Sequence, residues 1–408
     1  MKRMNVRWNS ILIIVCIVLL YISILSDNNI VCRLMDDIVP LYFGILWVRE
    51  LPTLSKKNTA EIKVFLLLVL ITILGLVSNL ISGLAYSWTN ILIDLFSFWK
   101  LYLVYMGTNA FMKVHKEILQ YTICILGKLS KGFICFSFIF GLLNLVGIVS
   151  MAEEMERYGY YPYRFIFKNA SQFGVLLGIS LAFILYNRSK KHLIYEILSV
   201  FTMMLTLKGM SLIIVVVYVL LRILHAKRIR IWQLCALGFS LGFTLRYQIY
   251  RYLLDETAPR AMLLKYGLVT AFRYFPFGSG FSTYGSDIAG RYYSPLYVLY
   301  GFSERKSLQY LSVTALNDVY LGMAFGQFGF LGAIALLGIL AIIGLPLLKL
   351  KTRDKSSMYI TIALFACMCG MAVMAGSIKV APGQLMMFAI SVFISKTYFE
   401  NATYKGEV

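Results

Sequence analysis

The chain has 408 residues, of which 60% are hydrophobic and only 14% charged. Soluble domains run at about 45–50% apolar and about 25% charged, so the surplus apolar surface here has no place in water. A net charge of +20 would point to nucleic acid in a soluble protein. Here the basic residues gather in short clusters between apolar runs, the pattern of a membrane chain, and no nucleic-acid partner is expected.

The apolar runs are unbroken, whereas the strands of a membrane barrel alternate over about ten residues. The reading is therefore all-α, a polytopic membrane protein in one transmembrane domain over 1–408, with every backbone group satisfied inside its own helix. Spans need about 20 residues. Twelve are expected, at roughly 9–26, 33–48, 63–84, 88–109, 132–150, 170–186, 193–207, 210–224, 231–247, 322–347, 357–376 and 381–398. Lys2, Arg3 and Arg7 precede the first run, but no small-residue cleavage site follows, so it reads as a retained span. Arg33, Asp36 and Asp37 crowd the start of the second.

Basic clusters set the orientation. They fall at Lys2/Arg3/Arg7, Arg49/Lys56/Lys57/Lys63, Lys113/Lys116/Lys128/Lys131, Arg188/Lys190/Lys191, Arg222/Lys227/Arg228/Arg230, Lys349/Lys351/Arg353/Lys355 and Lys396/Lys405. An even number of spans places all seven on the cytoplasmic side, with both termini. Segment 113–131 alternates apolar with basic residues and is expected to lie along the cytoplasmic interface as an amphipathic helix. Two outer connections are long, 151–169 and 248–321. The second is rich in Tyr, Phe, Leu and Gly, which argues for a folded, functional loop.

Other charges oppose the insertion bias. Arg157, Arg164 and Lys168 lie in the first outer loop, Lys208 in the turn after the seventh span, and Arg246, Arg251, Arg260, Lys265, Arg273, Arg291, Arg305 and Lys306 in or beside the long loop. An anionic ligand at the outer surface accounts for them, since a guanidinium grips phosphate oxygens in pairs and stays charged. Pairing with neighbouring acids such as Glu153, Glu154, Glu156 and Asp287 is the structural alternative. Asp94 and Lys100 fall inside the fourth span, where ionisable residues are costly, and a bond to Asp36 or Asp37 on another helix is the bland account. His115, His192 and His225 all fall on the cytoplasmic side, so an outer histidine base or zinc ligand is excluded. The seven cysteines lack metal-ligand spacing and read as small apolar residues.

The stretch Arg260-Ala-Met-Leu-Leu-Lys-Tyr-Gly-Leu-Val-Thr-Ala-Phe-Arg273-Tyr-Phe-Pro276-Phe-Gly278-Ser-Gly280-Phe resembles the long-loop signature of the O-antigen polymerase and O-antigen ligase superfamily. Three further segments are similar in order. These are Arg164-Phe-Ile-Phe-Lys-Asn169 before the sixth span, Leu205-Thr206-Leu207-Lys208-Gly209 at the next outer turn, and Asn317-Asp318-Val-Tyr320-Leu321 followed by Gly329-Phe-Leu-Gly332. Lysine at 208 replaces the family's arginine. The ligases commonly carry a histidine where this chain has Asn317-Asp318, which favours a repeat-unit polymerase over a ligase.

The resemblance implies a GT-C-like fold in a bacterial cytoplasmic membrane and a glycosyltransferase that joins undecaprenyl-diphosphate-linked oligosaccharides on the outer face. Its partners would be that lipid-linked oligosaccharide, membrane lipid and a chain-length regulator. No cofactor and no metal are expected, because cations would neutralise the leaving diphosphate. Arg260 and Arg164 would grip it, with Lys208 and Arg273 in support. Asp318 would act as base or orient the acceptor hydroxyl, with capping of the next helix as its alternative. Asn317 is the other counterpart of the family's histidine, and Gly278 and Gly280 would turn the loop beside substrate. Tyr274, Tyr284, Tyr292, Tyr293, Tyr297 and Tyr300 would form an interfacial belt or stack on sugars. A ligase or a flippase for the same lipid are the rival readings.

Overall fold

An apolar helix every 20 to 30 residues is what the runs dictate, and the computed structural model places a helix on each of the twelve. It describes residues 2–25, 30–54, 59–157, 159–187, 192–224, 231–250, 254–255, 257–310, 313–348, 355–374 and 376–404. The cluster residues Lys56, Lys57, Arg188, Lys190, Lys191, Lys227, Arg228, Arg230, Lys349, Lys351, Arg353 and Lys405 lie outside the described residues, as do His225, Arg251 and Glu256.

The chain order is α1 (Lys2–Leu25), α2 (Ile30–Leu54), α3 (Ala60–Ser82), α4 (Trp88–Val114), α5 (Lys116–Leu145), α6 (Ala170–Tyr186), α7 (His192–Leu205), α8 (Gly209–Ile223), α9 (Ile231–Thr244) and α10 (Arg246–Ile249). The long loop then supplies α11 (Pro259–Arg273), α12 (Asp287–Arg291), α13 (Pro295–Leu299) and α14 (Val313–Leu316). The bundle closes with α15 (Tyr320–Leu348), α16 (Lys355–Met374) and α17 (Ala381–Tyr404). Among the described residues there is no β-strand, only two isolated bridges in the 151–169 loop, Ala152 with Tyr163 and Arg157 with Tyr160.

Among the described residues, six helices are long and apolar enough to cross a membrane: Trp8–Leu25 within α1, then α3, α4, α5, α15 and Lys355–Val373 within α16. Helices α6, α7 and α8 are apolar but shorter. Large apolar side chains face outward along the bundle, including Ile45, Leu66, Phe136 and Ile334. Apolar exposure on that scale needs a non-aqueous surround.

One expectation is corrected. Residues 113–131 do not form a separate interfacial helix: Lys113 lies in the last turn of α4, and 116–131 are the first half of α5, which runs unbroken into the next apolar run. Nothing in 116–145 interrupts the hydrogen-bond ladder, since no proline occurs there. The half-buried Lys113 instead pairs with the buried Glu61 of α3 at 2.6 Å.

Packing is helix on helix, with α2 against α4, α3 against α15, α8 against α16 and α4 against α17. The charges in α2 and α4 meet each other, Lys100 contacting Asp36 at 3.3 Å and Asp37 still more closely. Gln384 of α17 donates to Asp36 at 3.0 Å, so three helices share one polar centre. The long loop folds rather than wanders. Tyr284, Tyr297, Phe302, Leu308 and Leu316 form a small core of their own, and α11 lies on α15.

Candidate functional site

The site begins where the long loop begins. Pro259 occupies the first turn of α11, where its missing N–H costs nothing and its fixed φ suits the helix. That start puts Arg260 at the neck of the loop. Its Nε and Nη2 both donate to one oxygen of Asp318, at 2.6 and 2.5 Å. Asp318 lies 58 residues on, at the other side of the neck. Its second oxygen accepts a long 3.5 Å bond from Gly376 N–H. Both oxygens are therefore engaged outside α15, so these contacts are not the helix cap that was the structural alternative. Burial pushes the Asp318 carboxyl above its usual range, and the Arg260 guanidinium works against that rise without cancelling it.

A second pair lies across the N-terminal ends of α6 and α8. Asn169 caps α6 by accepting from Ser171 N–H at 2.8 Å, as a residue that competes for backbone groups should at that position. Glu153 adds to this with one oxygen, accepting from Ala170 N–H at 2.8 Å. Its other oxygen holds Lys208 Nζ at 2.5 Å. Lys208 stands just before α8. Glu153 therefore ties the first outer loop to the turn that carries the lysine.

These segments enclose one cavity of about 180 Å³. Arg157, Lys208 and Arg260 bring three cations to it, and Asp318, Asn169 and Gln172 bring acceptor oxygens. Val175, Ile213, Leu245 and Met371 make its apolar wall. Stretches distant in sequence thus meet around one hollow lined by both cations and apolar side chains. Among the described residues, no cluster of three or more His, Cys, Asp or Glu could hold a metal ion.

Of the residues singled out by sequence, Arg260, Lys208 and Asp318 line the cavity; Arg164, Arg273, Gly278, Gly280 and Asn317 do not. Arg164 turns back to donate to the Lys168 carbonyl at 3.4 Å. Arg273 is exposed at the far end of α11, about 20 Å along the helix from Arg260. Asn317 abuts Gly376 beside the neck.

Gly278 and Gly280 serve the fold. Both have positive φ, 82° and 95°, and both press against helices. A Cβ on Gly278 would sit 2.4 Å from the nitrogen of Gly329, and one on Gly280 would sit 2.5 Å from Asn79 Cγ. Gly329 itself has φ 62° and ψ −162° and kinks α15 where the loop enters.

That re-entrant stretch is a polar centre which sequence reading reached only through Asp94. Asn79 makes a two-way bond with Phe281, donating to its carbonyl and accepting from its N–H, each at 2.8 Å. Asp94 accepts from Ser282 N–H at 2.6 Å and from Gln327 Nε2 at 2.8 Å. The Tyr residues of the loop also read differently. Tyr284 and Tyr297 are fully buried in the loop core, with Tyr284 donating to the Leu263 carbonyl at 2.7 Å and Tyr297 accepting from Gly285 N–H at 2.8 Å. Neither stacks on sugar or meets lipid. Sequence did not single out Glu153 or Gln172, and it did not rank Arg157 as a site residue. Arg157 stood out as an outward cation, but nothing marked it above its neighbours. Glu153 was one acid among several.

No protein-family model matches the chain, and no curated protein matches it.

Proposed function

We propose that this chain is a glycosyltransferase of the bacterial cytoplasmic membrane, with twelve spans, both termini cytoplasmic and a GT-C-like arrangement. It joins undecaprenyl-diphosphate-linked oligosaccharide repeat units of an O-antigen, capsule or exopolysaccharide on the outer face. The observation that carries the reading is the convergence of Arg260, Lys208 and Arg157 on one cavity that apolar side chains also line. A lipid diphosphate has a part to match each, an anion joined to a hydrocarbon tail. Guanidinium and ammonium groups held in place by Asp318 and Glu153 are preorganised, so they need not reorganise as charge develops on the leaving diphosphate.

The division of labour follows from the contacts. Arg260 neutralises the leaving group, and Asp318 fixes its guanidinium plane. An ionised Asp318 is also a carboxylate that lines the cavity, placed to take the proton of the acceptor hydroxyl as the new glycosidic bond forms and the sugar–diphosphate bond breaks. Lys208 supplies a second positive charge, and Arg157 a third that has no carboxylate partner among the described residues. Arg164 and Arg273 have no part in this scheme.

The test is incubation of purified protein with a lipid-linked repeat unit. A ladder of products is expected. Transfer of one unit to a different acceptor would make the chain a ligase. Unchanged substrate with altered sidedness in vesicles would make it a flippase and end the glycosyl-transfer reading.

A further inference from the structure

The end of the bundle opposite the Arg260 cavity holds a second polar hollow, of about 370 Å³, at the start of α5 and the finish of α6 and α17. Two lysines line it, Lys116 and Lys396, with the side-chain amides of Gln120 and Asn187. The lysine stems are not loose. Lys116 Nζ lies over the Phe399 ring at 5.5 Å from its centroid, and Lys396 Nζ lies over Tyr186 at 5.2 Å. Lys396 also donates to the Tyr186 carbonyl. One carboxylate, Glu400, stands on the rim, so the lysines outnumber it.

Depth identifies what such a hollow would hold. Helices α6 and α17 each line both cavities, α6 from Asn169–Val175 at one end to Tyr186 at the other, α17 from Pro382 to Lys396–Glu400. Eleven to eighteen residues of helix separate them, about 16–27 Å. Between them, the same two helices line a third, almost wholly apolar cavity with Ile179, Phe183, Leu385 and Phe388. Two polar hollows flanking an apolar middle follow the order of a bilayer, one headgroup region, the hydrocarbon core and the other headgroup region.

We infer that Lys116 and Lys396 form a binding site for the phosphate of an anionic phospholipid headgroup, in the leaflet opposite the Arg260 cavity. Two half-buried ammonium groups supply the charge, and the two amides supply hydrogen bonds to the non-bridging oxygens. The ring faces of Tyr186 and Phe399 hold the lysine stems where lipid packs. This inference rests on the membrane architecture alone and stands apart from the glycosyl-transfer reading.

The test uses the full-length protein in nanodiscs and native mass spectrometry. Wild type should retain phosphatidylglycerol in preference to phosphatidylcholine, with the preference falling as salt is raised. Each of Lys116→Gln and Lys396→Gln should weaken retention roughly fivefold, and Lys116→Arg should keep it. Equal retention of the two lipids by wild type would overturn the site without recourse to any variant. So would full retention in the double glutamine variant. Retention abolished by millimolar inorganic phosphate at constant ionic strength would assign the hollow to a soluble phosphate and overturn the lipid.

Discussion

Arg260 reaches a single carboxylate oxygen with two of its nitrogens, and this geometry separates it from the other outward cations. Arg260→Ala should abolish polymer while the protein still inserts. A loss of about 10²–10³ in rate is the scale for removing one preorganised charge donor, and a glycan gel beside membrane fractionation reads both outcomes. Arg260→Lys keeps the charge but not the fork, so its ladder should be weak rather than absent. Arg273→Ala and Arg164→Ala should leave the ladder unchanged. Asp318 gives a prediction in pH. Its carboxyl titrates above the ordinary range, and a base must be ionised, so activity should fall as pH drops through that raised value. Asp318→Asn should remove this acid limb along with most of the rate, measured as product formation against pH in one buffer series. Sequence alone reached Arg260 and Lys208 because cations that oppose the insertion bias are conspicuous, and Asp318 through the family resemblance of its segment. It could not rank Arg157 above Arg164, because what separates them is which way a short loop turns.

At the scale of elements, the re-entrant stretch 274–286 depends on three helices. Gly278→Ala would drive a methyl into the Gly329 backbone and strain a φ of 82°. Such a residue costs about 1–3 kcal/mol in backbone strain alone. A lower melting temperature in detergent is expected, with residual activity proportional to folded protein. Asp94 is 3% exposed, and Asp94→Leu would leave Ser282 N–H and the Gln327 amide without their acceptor and remove the negative charge felt by the buried Lys379. Breaking a buried charged contact on one side costs about 3–5 kcal/mol, so this variant should not accumulate as folded protein, whereas Asp94→Asn should. Helix positions were readable from apolar runs alone. The continuity of α5 was not, because alternating basic residues signal an interface equally well whether a helix lies flat or carries on into the bilayer. The buried tyrosines were misread for a related reason: a tyrosine-rich loop looks the same whether its rings face lipid, sugar or one another.

For the whole molecule, the outward apolar side chains predict that the protein resists extraction by carbonate or high salt and leaves the membrane only with detergent. Single cysteines placed at 113–116 and at 300–305 should label from opposite sides in intact cells, the second set from outside. Labelling of both from one side would invert or break the proposed topology while leaving the helices as they are. The 30 residues of α5 have a further consequence. A helix of that length measures about 45 Å, and in a bilayer it would be half as long again as the oily slab. It must lean or overhang, and the choice between those postures shifts with the thickness of the surrounding lipid. Lys116 rides on the overhanging end, so acyl-chain length in the host membrane sets how far that ammonium stands from the bilayer surface.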